Sequence, residues 1–325
     1  MFPNLRFHLA ILMGLCVVVG CVESGQPSPK KNAIVNSVPR IVVTSEPLLQ
    51  MTQAIMGDAA DVVLVVPEGI SSPDWSPTVD DVNIMQQARL IFFSGAGYEP
   101  WKDRVSLPGS RTRDTATGYY DQFIRIPDAV KHQHGPDGAH SHPGTVWATW
   151  LDPALCAAQL HQVSVDGRRL FPGRKQAIDA AEASLSAELN SLNALIETIN
   201  SAANNEALTL FSDAPHYQYL TRRLGWTLNY LHWDLADTIS DANRTELLDA
   251  FKADPSNVLT PQNSRIFLLD LRHSTATEDF VRQSGGIVVR IDLCENASPK
   301  VHSLPNRLKQ NLARIRDAID EYKCR

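Results

Sequence analysis

Four histidines lie close together in the stretch KHQHGPDGAHSHPG, although the whole chain has only ten. They form two His-x-His pairs, His132 with His134 and His140 with His142, and each pair can chelate one ion from an extended strand. Neutral imidazole binds zinc and similar divalent ions, so binding should weaken below a pKa of roughly 6.5. The intervening Gly, Pro and Asp residues predict a mobile loop over 131–143. We predict a low-affinity metal-binding loop, with a solvated polar loop of no function as the alternative.

The first residues, MFPNLRFHLAILMGLCVVVGC, predict export from the cytoplasm. One arginine precedes an apolar run that is too short for a helix spanning a bilayer of roughly 30 Å. The ending Val-Val-Gly-Cys resembles the lipobox of bacterial lipoproteins. It implies a signal peptide over 1–21, a lipid on Cys21, and a membrane-anchored chain facing the periplasm or the extracellular space. An ordinary signal or a short membrane anchor are the alternatives. Residues 22–33 are predicted to be a flexible tether.

Charge and cysteine content narrow the class of protein. A formal net charge of −6, with no basic patch that contains interleaved aromatics, argues against a nucleic-acid partner. Cys156, Cys294 and Cys324 remain after processing, and an exported compartment permits disulfides. Cys294 and Cys324 are a candidate pair, although sequence alone does not fix the pairing.

Short apolar runs alternate with helical segments in both halves of the chain, and such continuous runs predict α/β lobes with parallel sheets covered on both faces. A longer segment, Arg174 to Ala203, carries apolar residues on one helical face and falls between the two halves. We therefore predict an N-terminal lobe over 34–172, a linking helix over 173–204, a C-terminal lobe over 205–325, and a ligand cleft between the lobes. The predicted strands are 40–44, 61–66, 90–93, 123–126, 207–211, 265–270 and 286–292.

Four stretches, in this order, resemble the zinc- and manganese-specific substrate-binding lipoproteins of bacterial ABC transporters. They are PEGISSPDWSPTVDDVNIMQQARLIFFSGAGYEPW, HSHPGTVWATWLDP, SDAPHYQYLTRRLGW and RQSGGIVVRIDL. The resemblance implies two lobes joined by one helix, with a divalent metal ion (Zn or Mn) as cargo in the cleft. It also implies an ABC permease in the inner membrane as partner, a histidine-rich loop before the second ligand, and a monomer without catalytic activity.

The residues at the family's metal-ligand positions differ from the family pattern. Its three histidines and one carboxylate fall here on Asp74, Ala148, Ser212 and Asp292, so only the carboxylate is kept. Asp74, Ser212 and Asp292 offer oxygen donors, which suit hard ions, whereas zinc prefers nitrogen and sulfur. Facing carboxylates would also need a metal, an arginine or a protonated histidine between them. Asp74 as a helix cap and Asp292 as a solvated strand end are the alternatives.

The sequence thus favours a solute-binding lipoprotein for divalent metal ions with an altered or reduced metal preference. The cargo is zinc or manganese, with a hard oxygen-ligated ion or no ion as alternatives, and His140, His142 or His216 could replace the lost ligands. The sequence contains no HExxH pattern, nucleophile elbow or nucleotide-binding glycine pattern, which argues against an enzyme. The competing interpretation is an anchored, non-transporting interaction protein that kept the fold and lost tight metal binding.

Overall fold

The computed structural model of the chain describes residues 38–126, 144–203, 209–235, 239–253, 265–297 and 303–324, together with the backbone of 131–133 and 139–141. The signal-peptide and tether predictions fall outside these residues. Within them, no helix combines the length and the apolar character that crossing a membrane requires.

The first half of the described chain builds a four-stranded parallel sheet with the strand order β2-β1-β3-β4. Its central strands, β1 and β3, are almost wholly buried, as their continuous apolar sequences predict. The elements are β1 (Arg40–Val43), α1 (Glu46–Met56), β2 (Asp61–Leu64), α2 (Val79–Gln87), β3 (Leu90–Phe93) and β4 (Thr112–Asp114).

The starts of both helices of this lobe are encoded locally. The Ser45 hydroxyl accepts a hydrogen bond from the Leu48 amide at the start of α1. Thr78 and Asp81 form a reciprocal capping box at the start of α2. Such caps satisfy amides that have no partner inside the helix, which fixes where each helix begins.

A hairpin and two consecutive helices connect the halves: β5 (Lys131–Gln133), β6 (Ala139–Ser141), α3 (Pro153–Leu170) and α4 (Lys175–Ala202). Helix α4 packs against α1 and α3, which precede it in the chain, and against α5 and α8, which follow it. Its buried residues are Ile178, Leu189, Leu192, Ile196 and Ile199. The predicted long helix and its apolar core face are therefore confirmed, and this helix contacts elements of both halves.

The second half builds another parallel four-stranded sheet, in the order β10-β9-β7-β8. The molecule thus has the predicted α/β fold with two parallel-sheet lobes, while the predicted domain boundaries stay a prediction. The elements are β7 (Thr209–Ser212), α5 (Gln218–Leu224), β8 (Thr227–Tyr230), α6 (Asp241–Ala253), β9 (Arg265–Asp270), α7 (Thr275–Gln283), β10 (Gly286–Ile291) and α8 (Leu304–Cys324).

The strand prediction was wrong at one edge of each sheet. Residues 123–126 form no strand, and Arg125 makes only an isolated bridge to Thr145. The strands at these edges are β4 and β8, with the sequences TRD and TLNY. Both are partly exposed and mix polar and apolar residues, whereas β2 and β10 at the opposite edges carry the apolar runs that were predicted.

The candidate disulfide does not form. Cys156, Cys294 and Cys324 are all free thiols, and Cys294 is buried while Cys324 is exposed. A disulfide requires Cβ atoms about 4 Å apart, and a fully buried thiol cannot meet an exposed one without rearrangement.

Gly95, the second residue after β3, requires the absence of a side chain. It has a φ of 78°, and a Cβ would lie 2.1 Å from Asp114 Oδ1. Gly69 has a similar φ of 81° but nothing within 4 Å of its Cβ position. We expect Gly69→Ala to lower the free energy of unfolding by about 1–2 kcal/mol through backbone strain, and Gly95→Ala by about 1–3 kcal/mol more through overpacking.

Urea denaturation of the two variants measures this difference directly. Equal destabilisation would show that Asp114 moves away without cost, and would contradict the tight contact at Gly95.

Candidate functional site

Asp74, the first predicted metal ligand, lies at the end of a single 3-10 turn, Ser72–Asp74, and is exposed. Its carboxylate makes no hydrogen bond or ion pair with the described residues. The cap of α2 is Thr78, so the interpretation of Asp74 as the cap of that helix was wrong. Its assignment as a metal ligand stays a prediction.

The second and third family positions are buried. Ala148 has no exposed surface and packs in the main apolar core. Ser212, the last residue of β7, is also fully buried, and its hydroxyl donates a hydrogen bond of 2.8 Å to the Ala214 carbonyl oxygen. The Ser212 oxygen therefore already takes part in the local turn after β7.

Asp292, directly after β10, is held by α8. Arg307 donates two hydrogen bonds to it, each of 2.7 Å, from Nε to Oδ2 and from Nη2 to Oδ1. Burial alone would raise the pKa of Asp292, but the hydrogen bonds and charge of Arg307 outweigh burial and hold this pKa below its ordinary value. The Asp292 backbone is bonded to Asn311 as well. Asp292 is thus an ion-paired residue and not a solvated strand end.

The histidine-rich stretch is not a loop throughout. Its backbone forms the antiparallel strands β5 and β6, whose register places His132 opposite His140. His134 and His142 lie outside the described residues. His216, a candidate replacement ligand, stacks on Trp147 with a ring-centroid distance of 4.3 Å. The metal-binding role of these histidines remains a prediction.

Metal ligands do not converge in the part of the chain that the structure describes. Within that part, no three His, Cys, Asp or Glu side chains form a group that could hold a metal ion. In the conformation described, Arg307 donates hydrogen bonds to both carboxylate oxygens of Asp292, and the Ala148 side chain has no atom that could ligate a metal ion. Ligation by Asp292 would require Arg307 to release it.

Glu295, three residues after Asp292, is a buried carboxylate of the second lobe that contacts the first lobe. Its Oε1 accepts a hydrogen bond of 3.0 Å from the Tyr98 hydroxyl and another from the Ser71 hydroxyl. Ser71 and Tyr98 belong to the first lobe, and Glu295 belongs to the second. Sequence reasoning did not select Glu295; the only signal for it was a second acidic residue following the same strand.

Arg272 neutralises Glu295 from within the second lobe. It lies two residues after β9, and its Nη2 donates to Glu295 Oε2 at 3.0 Å and to Asp270 Oδ2 at 2.7 Å. Burial raises the pKa of Glu295, and the positive charge of Arg272 opposes that rise. The side chains of Asp270 and Glu295 are only 5% and 1% exposed. Each therefore depends on Arg272 for compensation of its charge.

A second buried pair lies at the end of β7. His273 Nε2 and Asp213 Oδ2 are 2.9 Å apart, and both side chains are almost completely buried. Burial raises the pKa of Asp213, His273 lowers it, and the negative charge of Asp270 adds to the rise. The carboxyl ends of β7, β9 and β10 thus carry a compact polar cluster, as expected for ligand sites on parallel sheets.

Aromatic side chains border this cluster on the side of the first lobe. The Tyr98 ring centroid is 5.0 Å from Trp147 and 5.1 Å from Trp150. Trp150 Nε1 donates a hydrogen bond of 2.9 Å to the Leu293 carbonyl oxygen, which lies in the second lobe. The lobes are therefore joined beside the cluster by directional contacts as well as by apolar packing.

A cavity of about 320 Å³ opens to solvent next to Glu295. It lies at the ends of β1 and β2, and its lining includes Glu46, Ile70, Tyr98 and Glu295. Its size falls within the range of small-ligand sites. Glu295 is the residue of the polar cluster that lines this cavity.

Glu99, in contrast, is a structural carboxylate of the first lobe. Burial raises its pKa to about 7, while hydrogen bonds from the Thr44 hydroxyl and from the Ser94 and Gly95 amides lower it. These donors bind both carboxylate oxygens of Glu99. Glu99 therefore holds the ends of β1 and β3 together, and we do not count it as a ligand-binding residue.

The fold resembles that of solved substrate-binding proteins. The metal-dependent lipoprotein YcdH from Bacillus subtilis matches with a TM-score of 0.67 at 18% identity, over 86% of this chain and 98% of that chain. The Zn(II)-bound AdcA from Streptococcus pneumoniae matches with a TM-score of 0.68 at 16% identity, over 87% of this chain and 58% of that chain. At these identities the likeness shows the fold alone.

The family follows from the sequence. Residues 41–318 match the family model of ZnuA, the periplasmic zinc-uptake complex component A, and the chain belongs to this family. The high-affinity zinc uptake system protein ZnuA of Bacillus subtilis is 24% identical over 65% of this chain and 68% of its own length. A putative metal-binding protein of Treponema pallidum is 27% identical over 37% of this chain, but the match spans only 38% of that protein.

Proposed function

We propose that the chain is the extracytoplasmic solute-binding lipoprotein of an ABC uptake system for divalent metal ions. The observation that carries this proposal is the pair of parallel-sheet lobes with one long helix packed against both, in a chain that belongs to a periplasmic metal-uptake family. The protein would bind an ion outside the inner membrane and deliver it to a permease. Its residues would act by coordination, and it would function as a monomer anchored through Cys21.

The metal preference would differ from that of a site with three histidines. Asp74, Ser212 and Asp292 offer only oxygen atoms, and Ala148 offers none. Oxygen donors suit hard ions and reduce the selectivity for zinc. The exposed carboxylate of Asp74 supports a role in ion capture, since no described residue occupies it.

Isothermal titration of the chain with Zn²⁺, Mn²⁺ and Mg²⁺ tests the proposal. The matched variant carries alanine at His132, His134, His140 and His142. We expect a one-to-one binding component that survives these substitutions, together with a weaker component that is lost with them and that fades below about pH 6.5.

A complete loss of binding in the alanine variant would contradict the transport proposal and favour the second candidate. That candidate is an anchored interaction protein that kept the fold without tight metal binding. The observation in its favour is that Arg307 holds both oxygens of Asp292, while the Ser212 hydroxyl bonds to its own chain.

A further inference from the structure

A single nitrogen atom of Arg272 contacts two carboxylates in the polar cluster. Nη2 lies 2.7 Å from Asp270 Oδ2 and 3.0 Å from Glu295 Oε2. A hard divalent ion coordinates carboxylate oxygens at about 2.0–2.6 Å. The guanidinium nitrogen therefore lies where one ion bridging these two carboxylates would lie, at only slightly longer distances.

The charges around this nitrogen explain why a cation is needed there. Asp270, Glu295 and Asp213 contribute three buried carboxylates, and the neighbouring bases are Arg272 and His273. His273 is bonded to Asp213, so Arg272 alone compensates Asp270 and Glu295 among the described residues. Two buried carboxylates side by side without a cation would repel each other strongly.

The contact between Arg272 and Glu295 also involves residues that join the two lobes. Glu295 receives Arg272 on Oε2 and the hydroxyls of Ser71 and Tyr98 on Oε1. The carboxylate that accepts these two hydroxyl hydrogen bonds from the first lobe is thus one that the arginine already holds. The closed arrangement of these residues is complete without any added ion.

We propose that Arg272 is a specificity-determining residue of the cleft: its guanidinium is a tethered cation that occupies the Asp270–Glu295 site, and a divalent ion binds these carboxylates only by displacing it. This inference rests on the proposed function and explains a reduced metal preference. The liberated site would supply carboxylate oxygens from Asp270 and Glu295. Asp213 is a neighbouring buried carboxylate of the same cluster, and it is paired with His273.

The test is a gain of metal binding on removal of the arginine. All proteins carry the four loop histidines as alanine, and Mn²⁺ is titrated by calorimetry. We expect Arg272→Gln to bind one Mn²⁺ at least about tenfold more tightly than the parent, because no internal cation competes. Arg272→Lys keeps the charge and should bind like the parent. Arg282→Gln removes an exposed arginine paired with Glu278 and serves as the matched control.

Removing Arg272 also leaves two buried carboxylates without compensation, so the glutamine variant is examined by circular dichroism with and without Mn²⁺. If it is unfolded in metal-free buffer, Mn²⁺ should restore the folded spectrum, which would support the inference. Failure of the variant to gain Mn²⁺ binding, in either the folded or the Mn²⁺-refolded preparation, overturns it.

The outcomes also separate this inference from the proposed function. If the parent binds a divalent ion and Arg272→Gln binds it no more tightly, the inference fails and the proposed function stands. If the parent binds none and the glutamine variant does, the arginine inference stands and the proposed metal cargo does not.

Discussion

Replacing Arg307 by alanine should lower the free energy of unfolding by about 3–5 kcal/mol, because it leaves a largely buried carboxylate without its partner. The side chain of Arg307 is 4% exposed and that of Asp292 is 22% exposed, and two hydrogen bonds of 2.7 Å join them. Arg307 also anchors α8 to the turn after β10. The loss of both contacts at one position makes this one of the largest effects that we expect.

The pH dependence provides a second measurement of the same pair. Arg307 holds the pKa of Asp292 below its unfolded value of about 3.9, so the stabilisation is fully present above that value. It is lost as the pH falls through the folded-state pKa, since protonation of Asp292 then breaks the ion pair. The Arg307→Ala variant should therefore lose less of its stability than the wild type between pH 5 and 2.

Arg316→Ala is the matched control on the same helix. Arg316 pairs with Asp317 at the surface, where both side chains are about half exposed or more, and such pairs contribute about 0–1 kcal/mol. Urea denaturation of Arg307→Ala, Asp292→Asn and the Arg307→Ala/Asp292→Asn double variant gives the coupling energy of the pair, and Arg316→Ala gives the value for a surface pair. A loss below about 1 kcal/mol at Arg307 would show that the pair is not a stabilising contact.

The lobes were predictable from the sequence because their central strands are buried on both faces. β3 and β9, with the sequences LIFF and RIFLLD, are almost uniformly apolar and were located at their observed positions. The edge strands β4 and β8 were missed because they are partly exposed and lack an apolar run, which the other two edge strands, β2 and β10, have. The linking helix was predictable because its apolar residues recur over many turns on one face.

The candidate site was less predictable, since it depends on how the chain turns after β10. Asp292 and Glu295 follow the same strand, and a sequence pattern ranks them equally. The structure turns at Cys294, which has a φ of 61°, and the Asp292 carboxylate accepts a hydrogen bond from the Cys294 amide. That turn directs Asp292 toward α8 and Glu295 toward the first lobe. A cysteine gives no sequence signal for a positive φ, unlike the enriched Asn or Asp.

The need for a positive group beside these carboxylates was predictable, but its identity was not. Electrostatics requires a cation near any buried pair of carboxylates. The structure supplies Arg307 to Asp292 and Arg272 to Glu295 and Asp270. Both arginines lie outside the segments that carry the family resemblance, so neither attracted attention when the sequence was read alone.

Replacing Trp150 by alanine should lower the free energy of unfolding by about 3–5 kcal/mol and also loosen the contact between the lobes. The Trp150 side chain is fully buried, and its indole N–H donates across the cleft to the Leu293 carbonyl oxygen at 2.9 Å. Trp150→Phe keeps much of the apolar volume but leaves that carbonyl unpaired, at a cost of about 1–3 kcal/mol.

Trp101→Ala is the matched control, because Trp101 is also fully buried but bonds within the first lobe, to Ser72 Oγ at 3.1 Å. Its loss of stability should be similar, about 3–5 kcal/mol. Hydrogen exchange of residues 290–297, followed by mass spectrometry under native conditions, separates the two variants. Exchange there should accelerate in Trp150→Ala beyond its rate in Trp101→Ala. Equal rates at equal global stability would mean that the indole contributes only core volume, and that the lobes are held together by Glu295 and the apolar core around α4.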